Sequence, residues 1–548
     1  MAQVNGIRRA AMAVGVVALL ASALPAATAS ATPARPLVTA STTAVARAAA
    51  PEDGLPGISA RPASGVEGRP AWCPPVEGHR VDCSTVRRPM VADRPDLGTI
   101  EVAYAVVRHR AAGPAKGTVA VNPGGPGEVA VDRAEHFTGA LNDLLDDHDL
   151  LLVDPRGTGR SQRMPCGLTD AEYRFGTREQ QRDAVARCAR ELGPRARAYT
   201  SAATADDIDA VRARLGVPKL TLYGLSYGTY LMPVYASRHP ERVRSIVLSG
   251  AYPLAFDPLG RPGAQAVSLA LHRVCGRAVP APGDGRPACD GDRAVRDLAT
   301  AASRLRARPL DVEVPGEAGA APRRLLLTEG KLANLAYEAA SRGVGADPTA
   351  AGLLGDLPHA LNRFAHGDTG PLLRLVREDY AGASAEDQAP YVAVVCNDYR
   401  KAWSVDASPA ERRRQYRAAL DAARPGAFGA FGARGYLEGP TDGGDVCLGW
   451  PRESTERPQP THPRLPDVPV LVLSGDLDAN TPDANGRAAA RQFRDSRFLS
   501  AANVGHVPEL EPSGCVTGVS TRFIRTGRTG DTSCLGALPP IAVKPVRP

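Results

Sequence analysis

The sequence predicts an α/β fold with a mostly parallel central sheet and a large helical insertion. Three observations lead to this prediction. Short apolar strands alternate with helical patterns between residues 99 and 253. The alternation stops over residues 254–463, where helical segments are separated by loops rich in proline and glycine. Strand-like runs then resume, and strands joined through helices form parallel sheets covered on both faces.

The individual elements follow from apolar periodicity. Residues 99–108 alternate like a half-buried strand, and further apolar runs predict strands at 118–121, 149–153, 220–224, 243–248, 468–474 and 497–501. Residues 204–215 predict a helix, in which Thr204 and Asp207 resemble a capping box. Residues 332–340 and 353–364 predict helices of the insertion.

The first residues resemble a secretory signal. Arg8 and Arg9 precede an apolar run over residues 10–24, and small residues follow. We expect cleavage after Ala29 or Ala31, so that residues 1–31 are a signal peptide and the mature protein is secreted and extracellular. The arginine pair is compatible with either the general or the twin-arginine export route. No later stretch has the length of an apolar membrane span, so no stable membrane anchor is expected.

Composition limits the partners and the domain plan. Residues 32–69 lack apolar periodicity and predict a flexible leader or pro-segment. A net charge of +7, with arginines scattered along the chain, argues against nucleic acid as a partner. We predict a core of residues 70–253 and 464–548, split by a helical cap at 254–463, with a disulfide-bonded extension at the C-terminus. The composition does not indicate the oligomeric state.

The ten cysteines suit an exported protein, because an even set in an oxidising compartment is usually disulfide-bonded. The spacing alone leaves several connectivities open, and we predict that sequence neighbours pair. The predicted pairs are Cys73 with Cys83, Cys166 with Cys188, Cys275 with Cys289, Cys396 with Cys447, and Cys515 with Cys534. Neither C-x-x-C nor H-E-x-x-H spacing occurs, so no metal or other cofactor is expected.

The stretch LTLYGLSYGTYL, residues 220–231, predicts a nucleophile elbow. Gly224 and Gly228 flank Ser226 in a G-x-S-x-G pattern between an apolar strand and a helical pattern. Strand and helix pass so close in such a turn that a Cβ at either glycine would clash. Ser226 would then stand at a helix N-terminus, where the Tyr227 amide can donate to a developing oxyanion. A plain surface turn is the competing interpretation of so short a pattern.

A serine nucleophile needs a base, and an acid that orients the base, and both follow the insertion. The segment GDLDANTP, residues 475–482, follows a strand, so its carboxylates would lie at the carboxyl edge of the sheet. We select Asp478 as the acid and keep Asp476 as the alternative, although both could merely shape the turn. His506, in NVGHVPEL after the last predicted strand, is the predicted base. Serine, acid and histidine in this chain order are typical of folds with such an elbow.

The loop NPGGPG, residues 122–127, directly follows a predicted strand. It is rich in backbone and poor in side chains, which lets N–H groups approach a substrate oxygen. We predict that Gly125 or Gly124 supplies the second oxyanion donor beside Tyr227. A phosphate-binding loop is the alternative, but the lysine of a P-loop is missing.

The motifs NPGGPG, DPRGTGRS, GLSYGT, GDLDANTP and NVGHVP together resemble those of the secreted actinobacterial tripeptidyl aminopeptidases, within the proline-iminopeptidase-related α/β hydrolases. The resemblance covers about residues 70–540. It implies an α/β-hydrolase fold with a mostly parallel central sheet and a large helical cap insertion. It also implies a serine peptidase with the triad Ser226, Asp478 and His506, an oxyanion hole of Gly125 and Tyr227, and a cap that admits short peptides by their free N-terminus.

A peptidase that recognises the free α-amino group of its substrate needs a carboxylate near the nucleophile. The candidates are Asp398, in VVCNDYR, which resembles a cap motif of that family, and Glu128, directly after the glycine loop. Either could instead be a solvated surface acid. The expected substrate is a peptide or a small acyl compound. An exported esterase or amidase with the same triad is the first alternative, and a catalytically silent hydrolase fold that only binds is the second.

Overall fold

The computed structural model describes residues 69–547, with gaps at 280–286, 317–320, 346–350, 382–386, 440–443 and 452–458. The predicted signal peptide lies outside the described residues, as does the predicted leader up to residue 68. Within the described ranges, we find no helix with the length and apolar character needed to cross a membrane.

Eight strands form one central sheet in the described part of the chain, and two more form a hairpin. The strands are β1 Val81–Pro89, β2 Thr99–Val107, β3 Gly117–Asn122, β4 His148–Val153, β5 Leu220–Leu225, β6 Val243–Ser249, β7 Leu310–Val314, β8 Arg323–Leu327, β9 Val470–Gly475 and β10 Ser496–Ala501. The sheet order is β1-β2-β4-β3-β5-β6-β9-β10, and only the pairs β1–β2 and β2–β4 are antiparallel. The predicted, mostly parallel sheet is therefore confirmed.

Helices cover the sheet and fill the insertion. The α-helices of the described ranges are α1 Ala134–Ala140, α2 Asp170–Phe175, α3 Arg178–Leu192, α4 Ser201–Arg214, α5 Gly228–Arg238, α6 Arg261–Arg277, α7 Gly291–Ala307, α8 Glu329–Ser341, α9 Gly352–Ala365, α10 Gly370–Ala381, α11 Ala389–Asp398, α12 Pro409–Asp421, α13 Ala433–Leu437, α14 Asp483–Ala490 and α15 Cys515–Thr526. Successive residues of β5 point to opposite sides, because Leu222 belongs to the apolar core shared with α4 and α5, and Tyr223 to the core shared with α1 and α15.

The insertion between β6 and β9 contains α6 to α13 and also the hairpin β7–β8. The sequence analysis did not predict this hairpin, nor strand β1. In β7, Val312 and Val314 are buried while Asp311 and Glu313 are exposed, which is the alternation of a strand with one covered face. Five residues are too short a run to stand out among helical segments, so the hairpin is recognised only from its pairing.

The predicted start of α4 is wrong. The helix begins at Ser201, and the side chain of Thr200 accepts a hydrogen bond from the Ala203 amide at 3.1 Å, so the N-cap is Thr200 and not Thr204. A long-range contact also supports the earlier start, because the Asp398 carboxylate accepts a hydrogen bond from the Ser201 amide at 2.5 Å. An acid from the insertion thereby completes the first turn of a core helix.

The structure joins the ten cysteines in five disulfides, and the pairs are those predicted from sequence proximity. Their Cα atoms lie 5.1–6.0 Å apart, within the range that a disulfide spans. The bond between Cys515 and Cys534 ties α15 to the C-terminal extension. Such a set is consistent with an oxidising compartment.

Candidate active site

The turn between β5 and α5 has the geometry of a nucleophile elbow. Ser226 has φ of 51°, a left-handed conformation that non-glycine residues rarely adopt. A Cβ at Gly224 would overlap the carbonyl oxygen of Gly228, and one at Gly228 would lie 2.7 Å from the carbonyl oxygen of Asn122. The Ser226 amide donates to the carbonyl of Ser249 on β6 at 2.9 Å. Close backbone contacts therefore require glycine at both positions, because a Cβ would clash, as predicted from the G-x-S-x-G pattern.

The structure brings Asp478 and His506 together at the carboxyl edge of the sheet. Nδ1 of His506 lies 2.9 Å from Oδ2 of Asp478. Asp478 is almost fully buried and also accepts hydrogen bonds from the amides of Asn480 and Thr481, at 2.7 and 3.0 Å, and from the Thr481 hydroxyl at 2.5 Å. Asp476 faces elsewhere, because it pairs with Arg277 at 2.6 Å. Of the two candidate acids, only Asp478 contacts the histidine.

His506 lies beside the elbow. A Cβ at Gly250, the residue after Ser249, would lie 3.0 Å from Cε1 of His506. The second ring nitrogen, Nε2, is buried and has no hydrogen-bond partner among the described residues. With Nδ1 occupied by Asp478, Nε2 is the nitrogen that is available to accept a proton.

Burial and charge act in opposite directions on this pair. Burial alone would raise the pKa of Asp478, but the charge and hydrogen bond of His506, with the bonds from Thr481, outweigh it and lower that pKa. Burial alone would lower the pKa of His506, but Asp478, with smaller contributions from Glu338 and Glu509, outweighs it and raises that pKa. The site therefore favours an ionised aspartate and stabilises a protonated imidazole.

The glycine loop after β3 lies against the elbow. A Cβ at Gly124 would lie 2.8 Å from the Ser226 Cβ and 3.3 Å from the Tyr227 nitrogen. Gly124 and Gly125 have φ of 106° and 97°, which side chains disfavour. Gly125 lines the same cavity as Ser226. The glycine loop thus lies beside the Tyr227 nitrogen, and Gly125 lines the cavity that contains the serine.

Ser226 opens into a cavity of about 230 Å³ between the sheet edge and the insertion. Six aromatic side chains contribute to its wall: Tyr252, Phe256, Tyr337, Tyr391, Tyr399 and Tyr436. Two carboxylates also line it. Asp257 is paired with Arg261 at 2.6 Å, and Glu338, on α8, lies 3.0 Å from Arg342. The cavity combines aromatic side chains with acidic groups and contains the candidate nucleophile, as ligand sites commonly do.

The two acids suggested by the sequence lie outside the set of cavity-lining residues. Asp398 is fully buried, caps α4 through the Ser201 amide, and has its pKa raised to about 6 by burial. Glu128 follows the glycine loop and forms an ion pair with Arg133. Asp398 is thus held inside the protein, whereas Glu128 lies beside the glycine loop, because a Cβ at Gly125 would lie 3.1 Å from its Cγ.

Sequence reasoning missed three side chains of this site. Glu338 lies in the predicted helix of residues 332–340, where one acid among alanines and leucines gives no signal of its own. Thr481, in GDLDANTP, contacts both Asp478 and Nδ1 of His506, the latter at 3.1 Å. Glu509 follows His506 by three residues. Thr481 and Glu509 lie within the motifs GDLDANTP and NVGHVPEL. Their short distance in sequence from Asp478 and His506 is the signal that could have identified them.

The loop that carries His506 is bonded to the end of α8. The His506 amide donates to the Ser341 carbonyl at 2.5 Å, the Gly505 amide to the Gly343 carbonyl at 2.7 Å, and the Gly345 amide to the Asn503 carbonyl at 2.9 Å. The last two bonds form an isolated antiparallel bridge between Val344 and Val504. The insertion therefore supports the backbone of the candidate base as well as covering the cavity.

Comparisons with known proteins agree with this fold. Residues 117–273 match the family model of the alpha/beta hydrolase fold, and residues 440–534 match the model described as TAP-like protein. The serine protease Hip1 of Mycobacterium tuberculosis (strain ATCC 25618 / H37Rv) is 34% identical over 194 residues, which are 32% of this chain and 37% of that protein. The chain thus spans little more than a third of the length of Hip1.

Two further relatives align over most of the chain. The tripeptidyl aminopeptidase of Streptomyces lividans is 26% identical over 449 residues, 76% of this chain and 77% of that protein. Carboxylesterase B of Mycobacterium tuberculosis (strain CDC 1551 / Oshkosh) is 29% identical over 484 residues, 82% of this chain and 85% of that protein. The relatives thus carry both peptidase and esterase names.

The sheet order, the strained serine elbow and the first family match show that the chain has the α/β-hydrolase fold. Its C-terminal region is similar to the TAP-like proteins, whose model matches residues 440–534.

Proposed function

We propose that this chain is an exported serine peptidase that releases short peptides, tripeptides in the first place, from the free N-terminus of peptide substrates. The observation that carries the proposal is the carboxylate of Glu338 in the cavity that contains Ser226. The names of the Streptomyces and Hip1 relatives support the peptidase class. The predicted signal peptide and the five disulfides support export.

The proposed mechanism assigns roles to the groups at the elbow and beside it. His506 takes the proton of Ser226 through Nε2, and the serine oxygen attacks the peptide carbonyl. The N–H groups of Gly125 and Tyr227 receive the oxyanion. His506 then gives the proton to the leaving amine, and Asp478 stabilises the imidazolium meanwhile. Water resolves the acyl-enzyme by the same steps in reverse.

In this proposal Glu338 binds the ammonium group of the substrate. Its side chain is only 26% exposed, and the exposed part faces the cavity. Burial raises its pKa, an effect that Arg342 opposes. A bound ammonium would add a second cation to this carboxylate and compensate its burial.

Glu338→Gln tests this role. We expect KM for a tripeptide nitroanilide with a free N-terminus to rise about tenfold or more, because a charge-assisted hydrogen bond is lost. KM for the N-acetylated nitroanilide should change little, because that substrate has no ammonium group for Glu338 to bind. The matched control is Asp257→Asn, an acid of the same cavity already paired with Arg261, which should keep the preference for the free peptide. An unchanged KM in Glu338→Gln would remove this assignment.

An esterase or amidase is the second candidate function. The aromatic cavity wall and the relative named carboxylesterase B favour it. The same assay separates the two functions. Equal cleavage of free and acetylated nitroanilides, or consumption of a nitrophenyl ester alone, would establish the second function and exclude an aminopeptidase.

The acid limb of the pH profile should lie above pH 6.5. His506 must be neutral to accept the serine proton, and its pKa is raised above the ordinary value of about 6.5. Activity is therefore expected to be complete above the raised pKa and to fall as the pH drops through it. A neutral nitrophenyl ester is the substrate of choice, because it carries no amine that titrates. A limb centred below pH 6.5 would contradict the assignment of His506.

A further inference from the structure

Glu509 connects the histidine loop with the two strands that hold the elbow. It lies three residues after His506, in the turn Pro508–Leu510. Its Oε1 accepts a hydrogen bond from the Tyr223 hydroxyl at 2.6 Å, and its Oε2 accepts one from the Ser249 hydroxyl. Both oxygens act as acceptors, which is the pattern of an ionised carboxylate.

The two donors belong to the immediate support of Ser226. Tyr223 lies on β5, three residues before the serine, and Ser249 ends β6. The Ser249 carbonyl accepts the Ser226 amide at 2.9 Å. One carboxylate next to the base is therefore bonded to both strands that fix the nucleophile.

The charge of Glu509 has no ordinary counterion. No lysine or arginine among the described residues forms an ion pair with it, and the groups bonded to its carboxylate are neutral hydroxyls. Burial raises its pKa, and the charge of His506 opposes this. A partly buried carboxylate without a cation is costly, and that cost falls when a positive charge forms nearby. In this site the positive charge forms on the imidazole of His506 during the reaction.

We propose that Glu509 is a positioning residue for the base: it fixes the histidine loop to the elbow strands, and its negative charge stabilises the imidazolium of His506. The proposal rests on the proposed role of His506. If Glu509 only joined the loop to the strands by hydrogen bonds, a neutral acceptor would suffice. Stabilisation of the imidazolium requires the negative charge of a carboxylate. An interaction that strengthens as charge develops contributes to the rate of the chemical step.

The charged groups around the base determine the sign of the expected effect. His506 is influenced by Asp478 from the loop after β9, by Glu338 from α8 and by Glu509 from its own loop. Glu338 is itself partly compensated by Arg342. Glu509 is influenced by Tyr223 of β5 and by His506. Removing the charge at position 509 takes away one of three negative contributions, so the protonated form of His506 becomes less stable.

The test is the rate at which a fluorophosphonate labels Ser226, measured by mass spectrometry of the intact protein across a pH series. In Glu509→Gln we expect the plateau rate to fall about tenfold and the acid limb to move to lower pH by about half a unit or more. The matched control is Glu511→Gln. Glu511 is a buried acid of the same loop, bonded to the amides of Ser513 and Val516, and is not among the groups that influence His506.

Each outcome is decisive. A limb that moves in Glu509→Gln and stays in Glu511→Gln supports the proposal, and a limb that stays in both, or moves equally in both, overturns it. If Glu509→Gln does not fold, Ser249→Ala and Tyr223→Phe remove one donor each and keep the charge. A lower plateau rate in these variants, with the acid limb not shifted to lower pH, supports the role of the hydrogen bonds to Glu509. Wild-type plateau rates in both variants overturn it.

The readout separates this inference from the proposed function. Fluorophosphonates react with an activated serine in peptidases and esterases alike. Labelling with the expected pH shift, together with failure to cleave the free tripeptide nitroanilide, would refute the aminopeptidase and leave Glu509 in its role. A wild-type protein that is not labelled at all would overturn the assignment of the base, and the role of Glu509 with it.

Discussion

Ser226→Ala is expected to reduce turnover of any acyl substrate by about 10⁵-fold to 10⁶-fold, because the whole covalent route through the elbow is lost. The fold should survive. Alanine keeps the Cβ and needs the same left-handed backbone that Ser226 already adopts. Turnover of a nitrophenyl ester and labelling by a fluorophosphonate are the measurements, with thermal unfolding recorded beside them.

The matched control for that variant is Ser245→Ala. Ser245 is a buried serine of β6 whose hydroxyl lies 3.2 Å from that of Thr221, and it does not line the cavity. The Ser245→Ala variant should keep its turnover, although it also loses one serine hydroxyl. If Ser226→Ala retains activity in a preparation free of other hydrolases, the assignment of Ser226 as the nucleophile is refuted.

Asp478→Asn is expected to lower kcat by about 10⁴-fold. The amide fits the space of the carboxylate but removes the charge that stabilises the imidazolium. It also offers an N–H to Nδ1 of His506, which would hold the ring in the wrong tautomer. The loss should appear with ester and peptide substrates alike, because it concerns the base and not the substrate.

Asp476→Asn is the matched control, since Asp476 lies two residues away in the same turn. Its carboxylate pairs with Arg277 and accepts the Asn503 amide at 2.8 Å. We expect kcat to stay within a few-fold of the wild type, with a modest loss of thermal stability from the broken ion pair. The opposite pattern, with Asp476→Asn inactive and Asp478→Asn active, would make Asp476 the acid of the triad.

Much of the core could be predicted because its signals are local. The strand before Asp478 was predicted at 468–474 and observed at Val470–Gly475, since a buried parallel strand is a continuous apolar run bounded by polar turns. The elbow was recognisable because close backbone packing permits only glycine at positions 224 and 228.

The substrate-facing part could not be predicted, because it depends on contacts between distant segments. Glu338 becomes noteworthy only when α8 is placed over Ser226, and an isolated helix gives no hint of that. Asp398 shows the converse. A motif resembling the family pattern drew attention to it, yet its carboxylate is used to cap α4, nearly 200 residues earlier in the chain.

The bonds between the end of α8 and the histidine loop limit how this enzyme could be redesigned. A cap taken from a relative to change specificity would have to supply its own carbonyl groups for the amides of Gly505 and His506. A graft without them would leave two backbone donors unpaired beside the base. We therefore expect an exchange of the cap to change the position of the candidate base as well as the lining of the cavity.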